Sequence, residues 1–386
     1  MERNIRLFSY LNFFTDFIPY APIAIIYFAN VSGSYALGMS VFSVVMLASA
    51  LFEIPTGIFS DMIGRKNTVV LGATTRILSA ILYAFGGSYG MLIAGALLEG
   101  LSRAFYSGNN DAMLHDSLTQ LKKEGDFHTH YGKTHAMFQV GLATSALLGG
   151  FLAQISFALV MWVSVIPQVL TLLTSLFLIE PNIYTKEAGN IFAHLKESLR
   201  HFRINTILRY ISITSIIKHS IGESGYLFRS AFFITLWPIW AIGVAATISN
   251  LLAALSYYAS GNIINKLGVK KILIGENLFN RVIHFPALLF PTILSPALMI
   301  SGGLTFGLGD TATNTLLQKH FTVKQRATMG SFNSLAGSIA FSLLAIVVGK
   351  FADLYGAVNA LILTQLILFT PLIFYRLIFK HENTRD

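Results

Sequence analysis

The sequence predicts an all-α integral membrane protein with twelve transmembrane helices in two six-helix halves, and two observations predict it. The chain is 54% hydrophobic and only 12% charged, with a mean hydropathy of +0.63, whereas soluble domains carry about twice that share of charge. It also contains twelve apolar runs, each close to the roughly 20 residues that cross a bilayer as a helix. These runs are residues 7–29, 36–59, 68–87, 90–113, 136–154, 157–179, 207–233, 239–264, 272–290, 296–317, 330–352 and 357–379.

The basic residues indicate how these helices are oriented. The formal charge is +9, with 27 Lys and Arg against 18 Asp and Glu. Most of the basic residues lie at the termini or in the turns of one side, so nucleic acid is not expected as a partner. The turns of the other side contain no Lys or Arg: residues 30–35, 86–89, 154–157, 236–239 and 291–296. The positive-inside rule therefore predicts two cytoplasmic termini and a multi-pass protein of the plasma membrane.

Two further features bound the chemistry of the chain. It has no cysteine, so we expect neither disulfides nor thiol chemistry. The N-terminus leads directly into a long apolar run without a small-residue cleavage site, so no removable signal peptide is expected.

Three histidines, His128, His130 and His135, lie near Asp126 after the fourth run. A solvated loop is the expected form there, with a metal site as the alternative.

The turn between the second and third runs concentrates charge and glycine. It reads Gly-Ile-Phe-Ser-Asp-Met-Ile-Gly-Arg-Lys from residue 57 to residue 66. Gly57 and Gly64 have no Cβ, so the chain can turn sharply or pack closely there. Asp61 can accept hydrogen bonds at a helix N-terminus, and Arg65 and Lys66 suit a cytoplasmic edge. An ordinary basic turn with chance glycines is the alternative.

This turn closely resembles the signature loop between the second and third helices of major facilitator superfamily transporters. The family usually has a basic residue after the aspartate, where this chain has Met62. Residues 324–331, Lys-Gln-Arg-Ala-Thr-Met-Gly-Ser, resemble the family's cytoplasmic turn before helix eleven. The resemblance implies a secondary transporter that works by alternating access, with a small-molecule substrate and protons as partners and no cofactor. The loop at Gly57, Asp61, Gly64, Arg65 and Lys66 would latch one conformation.

The two halves of the chain look like repeats. Gly57, Gly64 and Lys66 recur at a constant offset as Gly261, Gly268 and Lys270, and two glycines of the fourth run recur in the tenth: Gly95 and Gly100 fall opposite Gly302 and Gly307. We therefore expect an N-terminal half over residues 1–180, a cytoplasmic linker over 181–206 and a C-terminal half over 207–386. Two related halves around a midplane site is the architecture that the resemblance implies.

The linker is the most polar long stretch of the chain. Apolar residues recur in it at helical spacing, and basic residues occupy the other faces. This pattern predicts a basic amphipathic helix on the membrane surface. The apolar positions are Ile191, Leu195, Leu199 and Phe202.

Charges inside the apolar runs need a partner or a function, because an uncompensated charge at the bilayer centre costs several kcal/mol. The candidates for proton coupling are Asp16, Glu99, Arg103 and Asp310. Asp16 is followed by Pro19 and Pro22, which can loosen the first helix, and the resemblance to drug/proton antiporters makes it the preferred protonation site. Glu99 and Arg103 are four residues apart and can pair on one helix face. Asp310 falls opposite Arg103 in the repeat, so an acid–base pair between the halves is predicted.

Other charges and nearby aromatic residues are candidates to line a substrate cavity. Structural ion pairs are the alternative for Glu99–Arg103 and for Glu276–Arg281. Lys218 and Glu223 share a helix face poorly, so we expect them to pair across helices. The full set of cavity candidates is Phe13, Phe17, Tyr20, Arg76, Phe105, Tyr106, Lys218, Glu223, Tyr226, Glu276 and Arg281.

The fifth run bears on the direction of transport. Family exporters commonly carry Gly-Pro-x-x-Gly-Gly there, and this chain carries Ser-Ala-Leu-Leu-Gly-Gly from Ser145 to Gly150. The glycine pair favours close packing of helices five and eight. The sequence therefore predicts proton-coupled export of a lipophilic drug-like compound or metabolite by a monomeric transporter. Uptake or facilitated diffusion of a small polar solute, such as a sugar or siderophore, is the alternative.

Catalytic and phosphate-binding motifs are absent from the sequence, so an enzyme is not expected.

Overall fold

The computed structural model describes residues 1–182, 205–320 and 326–383, and within these ranges the chain is helical without β-strands. Contacts divide the chain into two units. Unit 1 comprises Met1–Glu187 and Pro238–Thr247, and unit 2 comprises Ala188–Trp237 and Ile248–Asp386. The predicted linker helix lies outside the described residues.

The helices of unit 1 cover the first six predicted runs. A short 3-10 turn at Ala21–Ile23 separates the first two helices, and another at Glu124–Asp126 precedes the seventh. The α-helices are α1 (Glu2–Thr15), α2 (Ala24–Ser32), α3 (Tyr35–Ile63), α4 (Arg65–Phe85), α5 (Tyr89–Tyr106), α6 (Asn109–Gln120), α7 (Phe127–Ile155), α8 (Phe157–Val163) and α9 (Val165–Leu176).

The remaining helices cover the last six runs, so the described residues account for every predicted span. These helices are α10 (Thr206–Phe233), α11 (Ile239–Leu267), α12 (Val269–Leu289), α13 (Ser295–Ile300), α14 (Gly303–His320), α15 (Arg326–Tyr355), α16 (Ala357–Ile367) and α17 (Thr370–Asn383). Residues 326–331 of the turn predicted over 324–331 are helical, because α15 begins at Arg326.

Seven of the helical segments in the described ranges are long and apolar enough to cross a membrane. They correspond to the second, third, fifth, sixth, eighth, eleventh and twelfth predicted spans. The other five spans are broken or carry several charges. The charged candidates for proton coupling and for the cavity, other than Arg76, collect in these five spans, which places polar groups inside both units.

Three of the five turns on the side that lacks basic residues are closed by serine caps. Ser34, Ser88 and Ser156 each begin a helix and accept a hydrogen bond from the backbone N–H three residues ahead, at 3.2, 3.3 and 3.0 Å. A serine at this position satisfies one of the free N–H groups of the first turn. Short polar turns between apolar runs therefore produce sharp helix reversals.

The first span is broken, as its two prolines suggest. Helix α1 ends at Thr15, Asp16 is its C-terminal cap, and α2 begins only at Ala24. Proline cannot donate a backbone hydrogen bond, so the segment around Pro19 and Pro22 does not continue the α-helix; its Ile18 and Tyr20 carbonyls instead accept bonds from Ala21 and Ile23 in short turns. Helix α7 packs against this break through Gly149, where an added Cβ would collide with the Pro19 carbonyl.

The glycines of the predicted repeat make equivalent contacts in the two units. In unit 1, a Cβ on Gly95 would lie 2.8 Å from the Tyr83 ring, and a Cβ on Gly100 would lie 2.6 Å from the Val45 carbonyl oxygen. In unit 2, a Cβ on Gly302 would lie 2.8 Å from Asn280 Oδ1, and Gly307 packs directly on the backbone of Tyr257: a Cβ there would lie 2.7 Å from the Tyr257 Cα. The fourth span thus uses glycine to approach the third and second spans, and the tenth span uses it to approach their counterparts, the ninth and eighth spans.

Candidate functional site

A buried ionic cluster joins α4 and α5 in unit 1. The Glu99 carboxylate lies 2.6 Å from Nη1 of Arg76 and 2.8 Å from Nη2 of Arg103. Glu99 and Arg76 are 5% and 6% exposed, whereas the Arg103 side chain is 47% exposed. The four-residue spacing correctly predicts the contact between Glu99 and Arg103, and the structure adds Arg76 to it. Two cations facing one anion leave the cluster with a net charge of +1.

Two tyrosines complete the coordination of Glu99. The hydroxyls of Tyr20 and Tyr83 donate to its Oε2 at 3.3 and 3.1 Å. Tyr20 belongs to the segment that breaks the first span, so this hydrogen bond ties the break to the ionic cluster. Tyr83 was not among the sequence-predicted residues, because a tyrosine in an apolar run gives no signal of its own.

The other first-half candidates surround this cluster. Asp16 is half-buried at the end of α1, four residues before Tyr20. The Phe13 and Phe17 rings lie 5.5 Å apart, on the same half-buried stretch as Asp16. Tyr20 and Phe105 are buried in the packed interior of unit 1.

Tyr106 packs against the third span. A Cβ on Gly72 would lie 2.8 Å from its ring, and the Ser102 hydroxyl donates to the Gly72 carbonyl at 2.7 Å. These contacts hold α4 and α5 close together beside the ionic cluster.

The predicted latch loop is held by residues that the sequence did not single out. Gly64 has a φ of +92°, which favours glycine, and it starts α4. The Glu180 carboxylate accepts the backbone N–H groups of Arg65 and Lys66 at 2.8 and 2.7 Å. The Arg65 guanidinium pairs with Asp116 at 2.6 Å. An acidic side chain therefore caps a helix N-terminus, where the helix dipole favours negative charge.

The structure gives less support for a latch role of the two remaining members of this loop, Gly57 and Asp61. Space is open around the Cα of Gly57, so no contact in the structure requires a glycine there. The side chain of Asp61 lies outside the described part of the structure. The role of the loop as a latch stays a prediction.

We expect Glu180→Gln to lower the free energy of unfolding by about 1 kcal/mol, the usual contribution of a helix cap. The amide keeps one acceptor oxygen but loses the charge that faces the α4 dipole. Thermal unfolding of the purified protein in detergent would measure the loss. Glu124→Gln, at an exposed acid, serves as the matched control, and equal effects of the two substitutions would contradict the capping role.

Unit 2 holds a different charge arrangement. Lys218 on α10 pairs with Glu276 on α12 at 2.9 Å, so the predicted pairing of Lys218 across helices is confirmed. The alternative pair Glu276–Arg281 is wrong. Residues five apart on a helix point in different directions, and the Glu276 carboxylate instead meets Lys218 and, at 3.1 Å, Asn280.

Arg281 is buried, with 7% exposure, and neither Nε nor Nη1 has a hydrogen-bond partner in the described residues. On α10, the Arg229 guanidinium lies 4.0 Å from the centre of the Tyr226 ring and 3.3 Å from the Ser249 hydroxyl. Sequence reasoning missed Arg229 because it lies near the end of its apolar run. It also missed His284, whose Nε2 is likewise buried without a partner.

Asp310 is exposed at the surface of α14. Its carboxylate accepts hydrogen bonds from the Tyr257 hydroxyl at 3.1 Å and from Asn314 at 3.3 Å. Both partners lie in unit 2. The predicted pair with Arg103 stays a prediction, and so does the pairing of Glu223.

The glycine pair of the fifth span makes the close contact that was predicted with the eighth span. A Cβ on Gly150 would lie 2.7 Å from the Trp240 carbonyl oxygen and 2.8 Å from the Gly243 Cα. The Thr247 hydroxyl adds a hydrogen bond of 2.9 Å to the Ala143 carbonyl. These residues of α11 belong to unit 1.

Comparisons with known proteins agree with this architecture. Residues 6–345 match the family model described as Major Facilitator Superfamily. An uncharacterized MFS-type transporter of Methanocaldococcus jannaschii is 23% identical over 386 residues, which cover 94% of this chain and 97% of the relative. Multidrug resistance protein 2 of Bacillus subtilis is 25% identical over 252 residues, 61% of each chain. Raffinose permease of Escherichia coli is 24% identical over 249 residues, 61% of this chain and 58% of the relative.

Solved structures give the same picture of the fold. The crystal structure of the nucleoside transporter NupG superimposes with a TM-score of 0.76 at 14% identity, covering 98% of this chain and 100% of that one. A D-xylose-proton symporter superimposes with a TM-score of 0.75 at 13% identity, covering 96% of both chains. At these identities the likeness shows the fold and leaves the substrate open.

Proposed function

Because this chain belongs to the Major Facilitator Superfamily, we propose that it is a proton-coupled exporter of lipophilic drug-like compounds or metabolites that works by alternating access. One observation carries the proposal: an intramembrane ionic cluster around Glu99 that is tied through Tyr20 to the broken first span. Buried ionisable groups inside a membrane bundle mark ion pathways and proton relays. The cluster and Asp16 therefore form the proposed coupling site, in the plasma membrane.

Each part of this site has a distinct task in the proposal. Asp16 lies where the first helix ends, next to the segment that the prolines interrupt, and it takes up and releases the proton. The Arg76–Glu99 pair holds α4 and α5 together. Arg103 is half-exposed and can leave Glu99 at little cost, so it is the member that moves. Proton binding changes the charge near Tyr20, and this change alters the balance between the two access states.

Three observations support export of a lipophilic compound. The Gly149–Gly150 pair packs against the eighth span, as the resemblance to exporters implies, and also against the first span, although the proline of the exporter motif is replaced. A relative that covers three-fifths of the chain is named a multidrug resistance protein. Aromatic side chains near Asp16 suit a lipophilic solute.

A specific observation also favours the second candidate, transport of a small polar solute. The buried face of α12 carries Asn277, Asn280 and Arg281, which are 3%, 7% and 7% exposed. Such a face can hydrogen-bond a polar compound. Relatives named for raffinose and nucleoside transport are compatible with this alternative.

Proteoliposomes with an internal pH-sensitive dye would test the proposal. We expect addition of a transported compound under an imposed pH gradient to produce proton movement that Asp16→Asn abolishes. A compound panel screened by resistance of expressing cells would supply the substrate. Solute flux without proton movement would support a uniporter, and full gradient-driven transport by Asp16→Asn would contradict the proton assignment. Asp353→Asn, outside the coupling site, is the matched control.

A further inference from the structure

Helix α12 presents a polar face to the interior of unit 2. Asn277 lies four residues before Arg281, and Asn280 lies four residues before His284, which places all four on one side of a helix. Val282, in contrast, is 68% exposed on the opposite face. An apolar helix inside a bilayer gains nothing from such a polar face unless the face has partners.

These side chains are only partly satisfied by the protein. Asn277 donates to the Leu368 carbonyl at 3.0 Å, and Asn280 donates to Thr305 at 3.1 Å. The Oδ1 atoms of both asparagines nevertheless have no partner in the described residues, and the same holds for Nε and Nη1 of Arg281 and Nε2 of His284. A buried polar group without a partner is unfavourable, because it has lost its hydrogen bonds to water. Donors and acceptors without partners therefore lie together on one helix face.

The Arg281 guanidinium has no carboxylate in contact with it. Among the described residues none lies within ion-pair distance of Arg281, and the carboxylate of Glu276, on the same helix, pairs with Lys218 instead. Arg229 is stacked on Tyr226, and His284 lies within electrostatic reach of both guanidiniums. Glu276 also acts electrostatically on Arg281, and Glu223 acts on Arg229, so the positive charge is partly compensated.

The repeat makes this imbalance clear. Arg281 lies one position beyond the counterpart of Arg76, and Arg76 is neutralised by Glu99 at 2.6 Å. The counterpart of Glu99 is Phe306, which carries no charge. Unit 1 places a carboxylate in contact with its buried arginine, whereas in the described part of unit 2 the nearby Glu276 carboxylate contacts Lys218 instead.

We infer that Arg281, with Arg229 and His284, binds the carboxylate or phosphate group of the transported compound. A guanidinium offers paired N–H donors that match the oxygens of such a group. The free Oδ1 atoms of Asn277 and Asn280 accept from hydroxyl or amide groups next to the anion, and Tyr226 provides an apolar surface. The substrate class is then an amphiphilic organic anion. This inference rests on the proposed transport function.

Thermal unfolding of the purified full-length protein in detergent gives the test. The probes are naphthalene-2-carboxylate and naphthyl phosphate, each compared with its uncharged amide or alcohol. We expect at least one anion to raise the melting temperature of the unsubstituted protein more than its neutral analogue does. Arg281→Met is expected to weaken that anion's binding about tenfold to a hundredfold, as loss of a charge-assisted hydrogen bond does. Arg281→Lys should keep part of the response.

The stability of the unliganded variants separates a binding residue from a structural one. Arg281→Met should melt at the same temperature as the unsubstituted protein or higher, because a buried cation without a partner is removed. A large drop in its melting temperature would overturn the inference, and so would an absence of any preference for anions. Stabilisation by phosphatidylglycerol alone, with no response to the soluble anions, would make this a lipid site and overturn the substrate assignment.

Failure of the proposed transport function can be told apart from failure of the anion site. If the anions bind through Arg281 but cause no proton movement in proteoliposomes, proton coupling fails and the anion site stands. If proton-linked flux is present for neutral compounds and no anion binds, the anion site alone fails.

Discussion

Arg76→Met is expected to lower the free energy of unfolding by about 3 kcal/mol or more, which is the usual cost of breaking a buried ion pair by removing one partner. Glu99 would stay buried with its charge, and only the half-exposed Arg103 and two tyrosine hydroxyls would remain beside it. The measurement is denaturant or thermal unfolding of the purified variant in detergent.

A double substitution identifies the cause of that loss. Arg76→Met combined with Glu99→Leu removes both buried charges, and apolar replacement of a whole buried pair is often neutral or stabilising. We therefore expect the double variant to recover most of the stability that the single variant loses. Arg103→Met should cost less than Arg76→Met because its side chain is 47% exposed. A double variant as unstable as Arg76→Met would show that packing, and not charge, dominates at this site.

The same double variant separates stability from transport. If the cluster only holds α4 and α5 together, the stable double variant should transport as well as the unsubstituted protein. If Arg103 must exchange its contact with Glu99 during each cycle, transport should be lost although the protein is folded. Flux in proteoliposomes normalised to folded protein would distinguish the two roles.

Much of the fold follows from local features of the sequence. Apolar runs of fixed length predict the spans, and the short stretches between them predict where the chain reverses. Pro19 and Pro22 predict the break in the first span. The offset between Gly64 and Gly268 predicts the repeat, and both residues begin a helix with positive φ, +92° and +81°. These features act over a few residues, so a single sequence reveals them.

The partners of the charged side chains were harder to predict. Spacing within one helix identified Glu99–Arg103, but the same reasoning failed for Glu276 and Arg281, because Lys218 approaches from another helix. Glu180 and Asp116 hold the loop at Arg65 from distant parts of the chain, and nothing local marks them. Contacts between distant helices depend on how the helices pack, and one sequence does not record that.

Gly100→Leu is expected to be among the most damaging substitutions in the chain. An added Cβ would lie 2.6 Å from both the Val45 carbonyl oxygen and the Ala48 Cβ, and the backbone of α3 cannot move away as a flexible side chain can. Overpacking usually costs about 1–3 kcal/mol, and a leucine adds three further carbons beyond the Cβ. We expect a loss at or above the upper end of that range. The yield of monodisperse protein in detergent and its melting temperature would measure it.

Gly275→Leu provides the matched control. Gly275 also lies within a membrane-spanning helix, but it is exposed and no atom lies within 4 Å of its added Cβ. Replacing a helix glycine where space is open removes the entropic cost of glycine, roughly 0.5–1 kcal/mol. We therefore expect Gly275→Leu to be neutral or stabilising. Equal damage from the two substitutions would mean that membrane insertion, and not the contact between α3 and α5, limits stability. Tolerance of Gly100→Leu would contradict the close packing of the second and fourth spans.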